Sequence, residues 1–301
     1  MPQPLTHDES EFRPALCFAR MDIEKRLGFP AGRFTQPGPL LPLLLAALAA
    51  VGFYAALIPI EGTWFWQTFT QRGWVPYATV FFSGWALMIL LVKVLKVRLQ
   101  RRAQRLDIIP DDPSFFLSPA TVDRVLDRLH DQVDDPRHFM LANRVQLALS
   151  NLRNMGRIGD VDDVLQSQAE ADEGMVESSY TVVRGLIWAI PVLGFIGTVL
   201  GLTRAIGSFG DVLAESAEAE ALRPALQSVT AGLATAFETT LQALVAAVFI
   251  HLLLTMVKRS EERMLDDFQD WCQRRVVTRL RLRDAGGPAG ANGGDDEPQA
   301  T

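Results

Sequence analysis

Residues 185–203 read GLIWAIPVLGFIGTVLGLT, and residues 224–257 read PALQSVTAGLATAFETTLQALVAAVFIHLLLTMV. Across both runs the only Asp, Glu, Lys or Arg is Glu238. A helix on the core of a soluble protein mixes charged and apolar positions at every turn, and these runs do not. About 20 apolar residues rising 1.5 Å each match a hydrocarbon layer roughly 30 Å thick. Working outward, residues 34–60 and 73–92 carry no charged residue at all. The chain holds 29 basic and 35 acidic residues in 301, so nearly all its charge is confined to the segments around four apolar runs. The fold expected is an all-α membrane protein with four transmembrane helices.

Orientation follows from the basic residues that flank the runs. Lys93, Lys96, Arg98, Arg101, Arg102 and Arg105 follow the second run, and Lys258, Arg259 and Arg263 follow the fourth. The 61–72 connection has only Arg72, and 204–223 sets Arg204 and Arg223 against Asp211, Glu215, Glu218 and Glu220. Both termini and the long middle segment are therefore expected in the cytoplasm (N-in, C-in), in a bacterial inner membrane. Cys17 and Cys272 both fall on that side and read as free thiols. The first run does not read as a cleaved secretory signal. It follows a charged, proline-containing head and exceeds the usual apolar length of one.

These boundaries divide the chain into a cytoplasmic head (1–38), transmembrane helices one and two (39–97) and a cytoplasmic helical domain (98–183). Transmembrane helices three and four (184–257) follow, joined by a periplasmic connection at 205–228. A cytoplasmic helix (258–283) and a Gly-, Pro- and Asp-rich tail (284–301), expected to be disordered, complete the chain. In the middle domain Ser118-Pro119 reads as a helix N-cap with proline at the first position. A second helix is expected over 138–155. A third, from Asp160, should run into the third span as one rod, because no proline intervenes before Pro191. The basic run after the second span reads as a topology determinant beside anionic lipid rather than as a nucleic-acid patch.

Soluble enzyme chemistry finds little footing. There is no phosphate-binding GxxxxGK[ST] sequence, and four scattered histidines with two distant cysteines give no metal-ligand spacing. No enzymatic activity, metal or cofactor is expected. Gly194, Gly197 and Gly201 share one helix face and read as close packing between spans. The fourth span carries Thr230, Thr235, Glu238, Thr239, Thr240 and Gln242. Threonines in a span usually bond their own backbone, whereas an ionisable residue there points to an ion pathway or a buried partner. At about 100° per residue, Thr235, Glu238, Thr239 and Gln242 form one polar stripe, while Thr240 lies about 200° from Glu238, with Leu244, Ala247 and His251. Trp64, Trp66 and Trp74 fit an interfacial aromatic belt. Trp188 reads as a packing residue and His251 as a satisfied interhelical histidine.

The sequences PVLGFIGTVLGL (191–202) and GLATAFETTLQALVAA (232–247) resemble the MotA/TolQ/ExbB proton-channel family. Four spans with the main insertion between the second and third look like MotA, while the wording of the two motifs leans towards ExbB and TolQ. The resemblance implies a homopentamer around two copies of a single-span partner of the ExbD, TolR or MotB type. That partner would supply the membrane aspartate that carries the proton. By motif match, pore threonines fall on Thr198 and Thr240, with Pro191 preceding the glycine motif of the structural pore helix. ExbB and TolQ carry a glutamate near the start of the pore helix where this chain has Thr235, and a carboxylate appears three residues later at Glu238.

The function expected is a stator-type proton-channel subunit of an ion-driven motor. Its pore-lining candidates are Thr198, Thr240, Glu238, Thr239 and Thr235. Its partners would be the single-span protein, copies of itself and membrane lipid, with no nucleic acid. A structural or scaffolding membrane protein is the alternative, and a transporter with a midplane site a third reading.

Overall fold

The computed structural model describes residues 15–110, 112, 115–118, 120–152, 158–215 and 219–281. The expected disordered tail lies outside them, whereas the second middle-domain helix, expected over 138–155, already ends at Ser150. Ten α-helices occur among these residues. There is no β-strand among them, only single-residue bridges joining Leu16 to Val133 and Leu117 to Leu280. Four of the helices are long and apolar enough to cross a membrane.

Two short helices, α1 (Phe18–Met21) and α2 (Ile23–Arg26), precede the first apolar helix, α3 (Leu40–Leu57). Pro39 caps α3, and a 3-10 turn over Ile58–Ile60 closes it where Pro59 removes a backbone donor. The short α4 (Trp64–Thr70) is capped by the Thr63 hydroxyl, which accepts from the Trp66 N–H. Gly73, at φ +85°, then turns the chain into α5 (Val75–Arg102), with Pro76 in its first turn.

The polar segment folds as α6 (Val122–Gln132), α7 (Met140–Ser150) and α8 (Ile158–Ser178). Helix α6 begins later than its proline signal suggests: Ser118 and Thr121 bond one another in a turn, and Val122 is the first helical residue. Fully buried Leu129, Phe139, Met140, Leu141, Val145 and Leu149 form the core of this segment with Met264 and Phe268. Inside it Arg144 Nε donates to Asp172 at 2.6 Å. Burial pushes the Cys272 thiol up to about 12, which makes it a protonated packing group.

The remaining helices, α9 (Thr181–Glu215) and α10 (Ala219–Arg275), pack together along most of their shared length. At 1.5 Å per residue they are about 50 Å and 85 Å long. Helix α5 touches both and also packs against α3. The expected single rod through α8 and α9 is interrupted by a two-residue turn at Ser179 and Tyr180. No Gly or Pro marks this break. A buried polar knot holds it instead: Tyr180 donates to Glu261 at 2.6 Å, Lys93 pairs with Glu261 at 2.8 Å, and Lys93 donates to Ser179 at 2.7 Å.

Helices α1 and α2 are docked by the same kind of contact. Lys96 pairs with Glu24 at 2.6 Å and donates to the Gln36 carbonyl at 3.0 Å. Lys93 and Lys96 are thus enclosed by protein and do not face lipid. Arg98, Arg102 and Arg105 are the members of the basic run left exposed. A lysine buried without a partner costs several kcal/mol, so carboxylates on α2 and α10 are drawn to these two.

Candidate functional site

The glycine face of α9 lies against the small-residue face of α10, and this seam positions every polar candidate. A Cβ on Gly194 would stand 2.6 Å from the Ala243 Cβ. One on Gly197 would stand 2.6 Å from the Thr239 hydroxyl, and one on Gly201 3.0 Å from the Gly232 carbonyl. Only glycine permits that approach. Pro191 lies inside α9 one turn earlier; its ring removes one donor from the ladder without ending the helix.

On one edge of the seam the hydroxyls of Thr198 and Thr240 hydrogen-bond to each other. Both also reach the Gly194 carbonyl, Thr240 at 2.9 Å and Thr198 at 3.2 Å. The pair is half-buried, and the apolar residues beside it face outward: Phe195 is 66% exposed and Phe237 63%. In the middle of the seam Thr239 is buried and donates to its own helix, to the carbonyls of Thr235 and Ala236.

The far edge carries the ionisable group. Glu238 pairs with Arg72 at 2.8 Å, and each side chain is about one-fifth exposed (21% and 22%). The same guanidinium donates to the Thr235 hydroxyl at 2.7 Å. One turn further, Gln242 donates to the Thr68 carbonyl of α4 at 3.3 Å. Thr235, Glu238 and Gln242 of the polar stripe therefore form a docking strip for α4 and the turn after it, on the edge of α10 away from the Thr198–Thr240 pair, while Thr239 lies in the seam itself. The functional residue missed by sequence reasoning is Arg72. Its signal was available: it is the lone cation in the 61–72 connection, beside the lone carboxylate of the four runs.

Four other residues lie apart from this seam. His251 is exposed on α10, and Trp188 is 73% exposed on α9 instead of packing within the chain. Trp64 and Trp74 are also exposed, at the α4 end of the bundle.

Residues 133–270 match the sequence profile of the MotA/TolQ/ExbB proton channel family. The matched region runs from the end of α6 through most of α10 and includes every candidate residue of the two pore motifs. No curated protein and no solved structure matches the chain. The family match and the four apolar helices make this a multi-pass membrane protein, and they point to a proton-channel subunit of a partner-assisted, motor-like complex.

Proposed function

We propose that the chain is a stator-type proton-channel subunit of an ion-driven motor in a bacterial inner membrane. A pentamer surrounds a single-span partner of the ExbD, TolR or MotB type, and ion flow past the partner is converted to mechanical work. The polar segment and both termini lie in the cytoplasm, and α4 lies at the periplasmic end. The observation that carries this reading is the Thr198–Thr240 hydroxyl pair. It is half-buried at an edge of the α9–α10 seam, where association of copies would turn it toward a shared interior. Hydroxyls there can replace part of an ion's hydration or hold a water file. Thr239 supports the wall from behind, and Glu238 and Thr235, bound to Arg72 on the far edge of the seam, hold the periplasmic connection against α10.

Thr198→Val and Thr240→Val keep the side-chain shape and remove the hydroxyl. Proton uptake by proteoliposomes containing the chain and its partner should fall at least several-fold in each, with assembly unchanged. Normal uptake in both variants overturns the assignment. A scaffolding role has its own supporting observation, since the same hydroxyls bond the Gly194 carbonyl and so also hold the two helices together. That reading expects lower thermal stability with no change of flux.

A further inference from the structure

Helices α3 and α10 both pack on α5, and small residues line the wedge between them. Ala49 and Ala50 on α3, Gly84 on α5 and Ala246 on α10 line the resulting cavity of about 570 Å³. Helix α4 roofs it through Phe65 and Phe69. Its mouth opens sideways between α3 and α10, where lining residues Leu241, Val245 and Phe249 are 63%, 61% and 56% exposed. The size is that of a ligand site, and the walls are almost wholly apolar. We infer that this wedge is a lipid site, occupied by one acyl chain of a membrane phospholipid from the leaflet on the α4 side.

Length selects this occupant. On α10 the lining runs from Glu238 to Phe249, which is about 16 Å at 1.5 Å per residue. Half of a hydrocarbon core of about 30 Å is one leaflet, so the cavity takes one chain depth and stops near the midplane. Polarity sets the direction. Glu238, Gln242 and Thr68 are at the roofed end with Trp64, at the level where headgroups and aromatic belts lie.

Two hydroxyls supply the third reason. The threonines of α4 and α10 bond carbonyls one turn back, as Thr68 does to Trp64 and Thr235 to Ala231, each within 2.9 Å. Thr79 and Ser83, one turn apart on α5, line the cavity, and neither hydroxyl has a partner. A rotation about χ1 presents either one to an occupant. The ester carbonyl of a glycerolipid, entering below the headgroup, accepts at that level.

The test counts phospholipid on the full-length protein by native mass spectrometry. The protein is stripped in detergent and then offered dioleoyl phosphatidylglycerol. Roughly one lipid per chain should be retained. The cavity-filling variants Ala246→Phe and Ala50→Phe should each lose at least half of it, at an unchanged oligomer mass. Two variants on different helices guard against a misfolded single change. Retention that is absent in the unaltered chain, or equal in both filled variants, overturns the site. So does efficient Phe249→Cys cross-linking between copies, which would put a second subunit in the mouth. Lipid retention reads nothing of ion flow, so this inference and the channel reading fail separately.

Discussion

At Glu238 a carboxylate in an apolar helix is compensated from outside that helix, by a guanidinium on the connection between the first two apolar helices. Each side chain of the pair is only about one-fifth exposed, and the pair's net contribution is modest because desolvation offsets much of the charge attraction. What it does is locate: Arg72 binds Thr235 and Glu238 together, and Gln242 ties the next turn to α4. Neutralising either partner should therefore have the same consequence. Arg72→Gln and Glu238→Gln should each lower the thermal unfolding midpoint in detergent, and the double variant should be no worse than the worse single one. Strict additivity would show that the two groups do not act on each other. The Thr198–Thr240 pair, on the opposite edge of the seam, should give additive changes with both.

Among the elements, the α9–α10 seam is set by where a methyl group fits. Gly194 has the Ala243 methyl in the place its own Cβ would take, whereas a Cβ on Gly207, further along α9, would meet nothing within 4 Å. Gly194→Ala should destabilise the fold by about 1–3 kcal/mol through overpacking, and Ala243→Gly added to it should recover part of the loss. Gly207→Ala should be neutral or stabilising, by up to about 1 kcal/mol, because alanine is the better helix former. Thermal unfolding of the three variants decides between a packing seam and a merely glycine-rich helix. The break between α8 and α9 belongs to this scale too. Its cause is the knot of Lys93, Tyr180 and Glu261, in which the turn residue Tyr180 joins a buried charge pair between α5 and α10.

For the molecule as a whole, the outer faces of α9 and α10 matter most. Ile206 and Val248 are each 61% exposed, on the same helices that hold the hydroxyl pair. A single chain leaves that pair at an open edge, where it can line nothing. The native mass spectrum of the protein in mild detergent should show a pentamer. A monomer that persists across mild detergents would remove the shared interior on which the channel reading depends.

The four apolar helices, their approximate ends and the glycine seam were legible in the sequence. Hydrocarbon demands about 20 apolar residues in a row, and a close helix crossing demands small residues one turn apart, so both leave local patterns. Helical periodicity also separated the two faces of α10, with Thr240 on one and Glu238 on the other. Tertiary structure alone decided what each face meets. Arg72 and Thr235 are 163 positions apart, and Lys93 and Glu261 are 168 apart. Nothing near a lysine at a helix end says whether it will face lipid or a carboxylate from another helix. The basic run after the second apolar helix therefore reads as a lipid-side signal, yet Lys93 and Lys96 lie inside the protein. The break at Ser179 and Tyr180 was invisible for the same reason, because its cause is a carboxylate on α10 and no local helix breaker. Charge pairing acts through space, and only the assembled helices bring its partners within reach.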